Sequence, residues 1–214
     1  MSIRNSEPAA DCNLCPRLAG FLVETRLQHP DWFNRPVPSF GDPAAEFLIM
    51  GLAPGITGAN RTGRPFTGDY AGDLLYSTLA TFGFAKGVYD QRPDDGLKLV
   101  NCLISNAVRC VPPQNKPTTT EINTCRRFLA AQIAALPNLK VILALGKIAH
   151  DSVVSAFDHK KSAFKFGHNA VHTVTDNITL VDSYHCSRYN TNTGRLTVQM
   201  FHDAFRTVRE ELTS

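Results

Sequence analysis

Four of the six cysteines in this 214-residue chain are candidates to bind a metal through their sulfur atoms. Cys12 and Cys15 are separated by two residues, a gap that allows both thiolates to bind one metal ion or one cluster. Cys110 and Cys125 lie far along the chain and are separated by fourteen residues. Together they predict a structural metal centre that joins the N-terminal segment to the body of the fold. Their spacing allows either a Zn(Cys)4 site or an iron–sulfur cluster.

The cysteines also bear on where the protein works. The N-terminal stretch, residues 1–8, lacks the apolar core of a signal peptide, and no run of eighteen apolar residues predicts a membrane helix. We therefore expect a cytoplasmic protein with no membrane partner, in which thiols serve as metal ligands or buried apolar groups. Three disulfides are the alternative for the six cysteines. Cys102 lies within a predicted strand and is expected to be buried.

A glycine-rich loop, residues 51–69, contains five glycines and two prolines. It lacks both the phosphate-loop pattern G-x4-G-K-S/T and the dinucleotide pattern G-x-G-x-x-G. What remains is a backbone that can approach a ligand closely, with the Phe66 ring and the Asp69 carboxylate three residues apart. A flexible surface loop is the alternative interpretation.

Two further polar segments follow predicted strands. Asn106 can use its side-chain amide as a paired donor and acceptor, or can simply fix a turn. His185 begins a polar loop and could serve there as a functional or as a structural histidine. In the same loop Arg188, Tyr189 and Asn190 are of the types that contact phosphates and wedge between bases.

The net charge of +3 and the pI near 8.6 are weak indications of a nucleic-acid partner. The distribution is more informative, because Arg61 and Arg64 share the glycine-rich loop and Arg188 and Arg195 share the loop after His185. We predict phosphate contacts for these four arginines. Solvated surface side chains are the alternative.

The periodicity predicts strands at 46–50, 97–105, 140–145 and 178–182, alternating with helices at 70–83, from 118, at 147–157 and at the C-terminus. This alternation is typical of a three-layer α/β/α fold with a small, largely parallel central sheet. The length of the chain favours a single domain, residues 1–214. In such sheets ligands bind at the carboxyl ends of the strands, where the three polar loops begin.

The three segments and the four cysteines together resemble family 5, the type B, iron–sulfur branch of the uracil-DNA glycosylase superfamily. The resemblance covers roughly residues 12–200 and is carried by Gly51-Leu-Ala-Pro, by Asn60-Arg-Thr-Gly-Arg-Pro-Phe-Thr-Gly-Asp69 and by His185-x-Ser-Arg-Tyr-Asn-Thr-Asn-Thr-Gly-Arg195. It implies a uracil-DNA glycosylase-like fold and a structural [4Fe–4S] cluster held by Cys12, Cys15, Cys110 and Cys125. It also implies base excision repair of DNA that contains uracil or other deaminated bases.

The resemblance further implies roles for single residues. Phe66 would stack on a flipped base, Asn106 would recognise its Watson–Crick edge, and His185 would donate a hydrogen bond to uracil O2 as the glycosidic bond breaks. The base-binding residues would be Gly51, Ala53, Gly55, Phe66 and Asn106. The DNA-binding residues would be Arg61, Arg64, Arg188, Tyr189, Asn190 and Arg195, and Tyr189 or a neighbour would occupy the gap that the flipped base leaves.

The position of the water-activating group is open in the sequence. Sister families place an acidic or amide side chain at Leu52 or Ala53, and both are apolar here. We expect either that Asp69 positions the attacking water, or that an oxocarbenium-like transition state needs no strong base. Asp69 could equally cap the helix that begins near residue 70, and the two roles are compatible. Gly55 replaces a Tyr that excludes the thymine methyl in the best-known family, which predicts a roomier pocket and a broader range of bases, including hypoxanthine.

This chain departs from the family pattern at two places. Cys186 replaces the usual proline after the histidine, which predicts a less rigid loop, and residues 55–58 lack the histidine that is common there. No lysine lies in the matched motifs, so we expect a monofunctional glycosylase that leaves an abasic site. We expect a monomer. A cluster-containing protein that senses damaged DNA with little turnover, and a zinc-stabilised nucleotide-binding protein, are the alternatives.

Overall fold

The computed structural model describes residues 6–214 and contains a six-stranded mixed sheet in the order β1-β5-β2-β6-β8-β7. The strands are β1 Phe40–Gly41, β2 Phe47–Gly51, β3 Ala85–Lys86, β4 Lys98–Leu99, β5 Cys102–Asn106, β6 Val141–Leu145, β7 Val171–Thr175 and β8 Ile178–Ser183. The helices are α1 Pro16–Gln28, α2 Ala59–Thr62, α3 Tyr70–Thr81, α4 Thr119–Ala134, α5 Lys147–Ala156, α6 Arg188–Asn192 and α7 Val198–Thr213. Part of the N-terminal stretch discussed above, residues 1–5, lies outside the described residues.

The four central strands β5, β2, β6 and β8 are parallel, and the edge strands β1 and β7 are antiparallel. Both faces of the central strands are buried, as expected for their continuous apolar sequences. Phe47 and Ile49 face a core that includes α3 and α7, whereas Leu48 and Met50 face a core that includes α4 and α5. This arrangement confirms the predicted α/β/α architecture with a largely parallel central sheet. No described helix is long and apolar enough to cross a membrane.

Local sequence explains where the flanking helices begin. Thr118 caps α4, and its hydroxyl accepts from the Glu121 N–H while the Glu121 carboxylate accepts from the Thr118 N–H. Asp69 caps α3 by accepting from the Gly72 N–H. Helix α3 thereby begins directly after the glycine-rich loop, which fixes the position of that loop at the sheet edge.

Three elements differ from the sequence prediction. The single strand predicted at 97–105 is split into β4 and β5, because Asn101 has a φ of 49° and its side chain bonds to Glu46 instead of continuing the strand. Edge strand β7 was not predicted because most of its side chains are exposed or half-exposed and polar. Helix α1 has no counterpart among the helices that the periodicity predicted.

A buried ionic cluster joins α5, β7 and β8 on one side of the sheet. His150 Nδ1 lies 2.7 Å from Asp182 Oδ1 and His150 Nε2 lies 2.9 Å from the Phe164 carbonyl oxygen, while His172 Nε2 lies 3.2 Å from Asp182 Oδ2. A carbonyl and an ionised carboxylate can only accept, so both nitrogens of His150 must donate. Burial lowers the pKa of His150, but the hydrogen bond and charge of Asp182 outweigh it and hold that pKa above its ordinary value. The pair is therefore a buried imidazolium–carboxylate.

Replacing His150 by Gln removes the cationic partner of a buried carboxylate, and we expect a loss of about 3–5 kcal/mol of folding stability at acidic pH. Since the pKa is raised in the folded state, its stabilisation is full below the ordinary pKa of about 6.5 and is lost as pH rises through the folded value. The melting temperature of the wild type should therefore fall more steeply than that of His150→Gln between about pH 6 and pH 9. His202→Gln, at a half-buried position that contacts Phe82, is the control. Parallel pH profiles for wild type and His150→Gln would contradict the assignment.

Candidate active site and cysteine centre

A cavity of about 630 Å³ lies at the carboxyl edge of the sheet, where the loops after β2, β5 and β8 meet. Its size is within the range of pockets that enclose a small ligand. The sheet brings together residues that are far apart in sequence, and those lining the cavity include Ala53, Gly55, Phe66, Asp69, Asn106, His185 and Arg188. Leu52, Ile56, Thr57, Tyr70 and Asn115, for which the sequence predicted no role in contacting a ligand, line it as well.

Asn106 is the last residue of β5, and its side chain is 3% exposed. Its Oδ1 atom is buried and has no hydrogen-bond partner among the described residues. Buried polar atoms are nearly always paired, so an unpaired acceptor in the wall of a cavity indicates that a ligand supplies the missing donor. A Cβ at Gly51 would lie 2.3 Å from this oxygen and 2.6 Å from the Phe66 ring, which is why Gly51 must be glycine.

Phe66 forms an aromatic wall of the cavity. Its φ of 52° is unfavourable for a residue with a side chain and costs on the order of 1–3 kcal/mol. The Phe66 carbonyl accepts from the Tyr89 hydroxyl at 3.1 Å and packs directly against Gly72, so the surrounding structure holds the strained backbone. The ring lies 6.0 Å from the His185 ring at an interplanar angle of 28°. Two nearly parallel rings thus face the same space.

Asp69 serves as a helix cap and also lines the cavity. Its Oδ1 accepts from the Gly72 N–H at 3.2 Å, and its Oδ2 lies toward Gly55 and Gly58, where an added Cβ would approach to 3.3 Å and 2.4 Å. Burial raises the pKa of Asp69 and the N–H groups of α3 partly offset that rise. One carboxylate oxygen is therefore used by the helix and the other is left for a ligand or water.

His185 follows β8 by two residues and lines the cavity. Burial lowers its pKa to about 4, so the imidazole is neutral at physiological pH. The Asn190 side-chain amide donates to the His185 carbonyl at 2.8 Å and fixes the backbone of the loop. The site therefore presents a neutral N–H donor rather than a cation.

Cys186 was expected to leave this loop less rigid than a proline would. Its side chain is fully buried, and its thiol donates to the Ala71 carbonyl oxygen at 3.5 Å. Because Ala71 belongs to the first turn of α3, the thiol ties the histidine loop to the helix that Asp69 caps. Cys186 therefore anchors the loop; it shares an apolar core cluster with Cys102 and does not line the cavity of the four predicted ligands. Cys102 is buried as predicted.

Arg64 corrects one prediction of a phosphate contact. Its side chain is 4% exposed, it forms a bidentate pair with Asp95 at 2.7 and 2.8 Å, and its Nε donates to the Thr67 hydroxyl. The guanidinium also lies over the rings of Phe40 and Tyr76. Burial lowers the pKa of Arg64, but the hydrogen bond to Asp95 outweighs burial, and the pKa lies above its ordinary value. Every nitrogen is engaged, so this arginine fixes the fold of the loop instead of contacting DNA.

Of the other predicted DNA-contact residues, Arg188 lines the active-site cavity, Asn190 and Arg195 line a neighbouring one, and Arg61 lines a separate groove. Arg188 lines the mouth and lies over the Tyr70 ring at 5.3 Å, and Tyr189 is 73% exposed. Arg195 lies over the Tyr184 ring at 4.8 Å on the far side of His185. Asn190 is occupied by its bond to His185. Arg61 is exposed beyond the opposite lip, where its Nε donates to the Thr57 carbonyl.

The four predicted cysteine ligands line one small cavity between α1, the end of β5 and α4. Burial, followed by the neighbouring thiols Cys125, Cys12 and Cys15 in that order of effect, raises the pKa of Cys110 to about 12. The Arg109 N–H donates to the Cys125 sulfur at 3.4 Å. Four converging sulfur ligands with a backbone donor fit a metal centre better than they fit apolar packing.

The spacing of the sulfurs bears on the kind of metal centre. Among the described residues, no three cysteine sulfurs lie within 4.8 Å of one another. The group of potential metal ligands that does meet this distance is His150, His172 and Asp182. In a tetrahedral zinc site with Zn–S bonds of about 2.3 Å, the sulfurs would lie only about 3.8 Å apart. The cysteine sulfurs do not form that close a group in the described residues.

Sequence reasoning missed the polar contacts that hold this centre. Arg109 is fully buried, and its guanidinium binds Glu7, Ser39 and Gln132 at 2.8, 2.9 and 3.0 Å. The signal available in the sequence was the position of Arg109, a charged residue directly before the predicted ligand Cys110. A second pair, Arg17 with Glu121, joins α1 to the start of α4 through two bonds of 2.7 Å.

Comparison with known proteins agrees with this geometry. The Uracil DNA glycosylase superfamily matches residues 38–209 of the chain. A type-5 uracil-DNA glycosylase of Thermus thermophilus is 44% identical over 195 residues, which is 89% of each chain, and one of Pyrobaculum aerophilum is 36% identical over 92% of this chain and 87% of its own.

A more distant relative, a type-4 uracil-DNA glycosylase of Archaeoglobus fulgidus, is 35% identical over 57% of this chain and 54% of its own. The family match covers most of the chain, and the two type-5 relatives match 89% and 92% of it. The chain belongs to the uracil DNA glycosylase superfamily.

Proposed function

We propose that the cavity binds a uracil flipped out of DNA and that the protein hydrolyses the bond between this base and its sugar, leaving an abasic site. The observation that carries the proposal is the buried, unpaired Oδ1 of Asn106 beside the Phe66 ring. The relatives named type-5 uracil-DNA glycosylases support the same activity. Base excision repair is the process that uses such an enzyme.

Asn106 and Phe66 would recognise the base. The free Oδ1 accepts from uracil N3–H, and the amide NH2 then donates to uracil O4. Cytosine presents an acceptor at N3 and a donor at C4, so the same orientation rejects it by leaving buried groups unpaired. Stacking on the Phe66 ring contributes about 1–3 kcal/mol toward the cost of removing the base from the helix.

His185 would stabilise the leaving base. As the glycosidic bond breaks, negative charge develops on uracil O2, and a prepositioned donor is most effective where charge develops. The neutral imidazole supplies one N–H without the repulsion or proton loss that a cation would bring. One such donor contributes on the order of 3 kcal/mol to the barrier reduction.

Asp69 would position the attacking water with the oxygen that the helix does not use. Its carboxylate also lies where it can stabilise the positive charge that develops on the sugar. The residues lining the cavity include no lysine, so within the described chain no amine is placed to form a Schiff base. We therefore propose a monofunctional glycosylase that does not cut the strand.

The cavity would admit more than uracil. Ala53 and Gly55 leave space on the side opposite Phe66, and the volume exceeds what one pyrimidine requires. We propose that hypoxanthine and other deaminated bases are also released. Arg188, Arg195 and Arg61, which line this cavity, a neighbouring one and a separate groove, would bind the phosphates on either side of the flipped nucleotide, with Tyr189 occupying the gap in the stack.

Cys12, Cys15, Cys110 and Cys125 would hold a [4Fe–4S] cluster, since no three of their sulfurs form as close a group as a zinc site requires. Bound there, the cluster supplies a covalent cross-link between α1, α4 and the end of β5. Its ligands line a different cavity from the base, against which Ala53 and Ile56 of the active-site wall pack. It takes no part in the hydrolysis. Its role in this proposal is structural.

The activity is tested with a labelled duplex carrying one uracil, treated with alkali after incubation. We expect strand breakage only after alkali, and a loss of about 10²–10³-fold in rate for His185→Ala because the oxyanion donor is removed. A covalent adduct trapped by borohydride would contradict the monofunctional reaction. Tight binding to uracil-containing DNA without base release would instead support a damage sensor.

The same assay separates the two roles of Asp69. Asp69→Asn keeps an oxygen that can cap α3 but removes the charge, so we expect about 10²-fold slower hydrolysis at an unchanged melting temperature. Asp69→Ala removes both the capping oxygen and the charge, so it should also lose about 1 kcal/mol of folding stability. Less than tenfold loss in Asp69→Asn would leave Asp69 as a helix cap only.

The requirement for glycine at position 51 gives a further prediction. In Gly51→Ala the new methyl group must displace Asn106 or Phe66, and a displacement of about 1 Å at the site costs on the order of 10²-fold in rate. Gly20→Ala is the control, since a Cβ there meets nothing within 4 Å on helix α1 and should leave activity unchanged. Full activity of a folded Gly51→Ala would contradict the proposed recognition of the base.

Anaerobically purified protein should be brown, absorb near about 400 nm and contain about four irons per chain. Each of the four variants Cys12→Ser, Cys15→Ser, Cys110→Ser and Cys125→Ser should lose colour and melt at a lower temperature, because the cross-link is broken. Cys102→Ala, which alters a buried cysteine outside the centre, should stay brown. A colourless protein with one zinc per chain would overturn the cluster assignment.

A further inference from the structure

We propose that a groove separate from the active-site cavity binds the DNA strand that continues away from the flipped base. We call it the Trp32 groove, and its lining includes Asp31, Trp32, Phe33, Arg35, Arg61 and Arg92. The proposal rests on the proposed function, because it assumes that DNA is the substrate. It adds a contact surface in the N-terminal segment, ahead of the residues that the family match covers.

The charges in the groove favour a polyanion. Arg35 is exposed and makes no ion pair with any residue in 6–214. Arg61 is exposed and uses its Nε in the bond to the Thr57 carbonyl, while its Nη2 lies against Gly68, and neither terminal nitrogen has a hydrogen bond to a described residue. Arg92 is paired with Asp90 at 3.2 Å and with Asp94 at 4.0 Å, so it adds little net charge, and Asp31 is the acidic residue in the lining. Arg35 and Arg61, which make no ion pair among the described residues, outweigh the Asp31 carboxylate and leave the groove modestly cationic.

The groove also contains an aromatic surface held in place. The Trp32 ring stacks on His29 with centroids 3.9 Å apart and an interplanar angle of 8°. The Trp32 carbonyl accepts from the Asn34 side chain, whose amide also binds the His29 carbonyl, so both rings belong to one fixed turn. A half-exposed indole beside guanidinium groups is the combination with which proteins bind successive nucleotides, by stacking and phosphate contact.

Backbone contacts attach this turn to the active-site loop. The Phe33 N–H donates to the Arg61 carbonyl at 3.0 Å and the Asn34 N–H donates to the Asn60 carbonyl at 3.1 Å. The Asn60 side chain in turn donates to Asn34 Oδ1 at 3.0 Å. Gly63, with a φ of 77°, lets the Phe33 ring pack directly against the loop. The groove and the glycine-rich loop are therefore one rigid unit.

The path between the two sites is short. Thr57 lines the active-site cavity, and its carbonyl holds the Arg61 side chain that lines the Trp32 groove. A strand that leaves the cavity over Thr57 would meet Arg61 first and then reach Trp32 and Arg35. The active-site cavity and the groove would thus contact one continuous strand.

Trp32 is the one tryptophan of the chain, so its fluorescence reports directly on this groove. The intact, cluster-loaded protein is titrated with single-stranded oligonucleotides that carry an uncleavable 2′-fluoro uridine at the centre, about 5 or about 15 nucleotides long. We expect the long oligonucleotide to quench Trp32 emission, and the concentration that gives half of the quenching should equal the concentration that gives half-saturation in filter binding. The short oligonucleotide should bind without quenching, because it does not reach the groove.

Arg35→Ala supplies the matched test of affinity. We expect a 3- to 10-fold weaker binding of the long oligonucleotide and a salt slope reduced by about one, with the short oligonucleotide and the maximal rate unchanged. Arg206→Ala, which removes the same charge from an exposed site on α7, should change neither. Trp32→Ala should also weaken binding of the long oligonucleotide only.

The outcomes separate this proposal from the proposed function. Uracil release with no quenching and no effect of Arg35→Ala at any length would overturn the groove proposal and leave the glycosylase intact. Failure of even the short oligonucleotide to bind, together with no uracil release from the cleavable labelled duplex, would overturn the proposed function. Equal quenching by an acidic peptide of the same charge would show a general polyanion site and would also overturn the groove proposal.

Discussion

The site depends on one close approach, that of the Gly51 backbone to the Asn106 amide and the Phe66 ring. A side chain at position 51 would overlap both groups, so the last residue of β2 has to be glycine. The parallel pairing of β2 with β5 places Gly51 beside Asn106, and the strained backbone at Phe66 directs the ring back over the strand end. The sheet register and the loop strain together therefore set the shape of the cavity.

The chain sets this geometry with buried polar contacts around the cavity as well as with packing inside it. Arg64 and Asp95 hold the glycine-rich loop, and the Cys186 thiol holds the histidine loop against α3. Removing one partner of a buried charged pair leaves the other unpaired, at a cost of about 3–5 kcal/mol. Residues that look functional by charge can thus be needed for structure, and Arg64 is the example here.

The sequence predicted the architecture and part of the cavity wall, including Phe66, Asn106 and His185, because apolar runs, caps and strand-end polar residues are local signals. The runs at β2 and β6, the capping box of α4 and the position of Asn106 all depend on neighbours within a few residues. The split before β5, the edge strand β7 and the buried state of Arg64 depend on distant partners such as Glu46 and Asp95, which a sequence does not reveal. The helix cap that the sequence offered as the alternative role of Asp69 is present in the structure, while its second oxygen could be placed only in three dimensions.

The N-terminal segment explains why a glycosylase would benefit from a metal centre at the four cysteines, outside its active-site cavity. Helix α1 is joined to the rest by the cysteine cavity, by the Arg17–Glu121 pair and by the bond from Arg26 to the Asn34 carbonyl. Asn34 is buried against Asn60 in the active-site loop. A cluster that fixes α1 therefore also fixes, through Asn34, the loop that carries Phe66 and Asp69 and the turn that carries Trp32. Its contribution to catalysis would be the rigidity of the surfaces that hold the DNA strand.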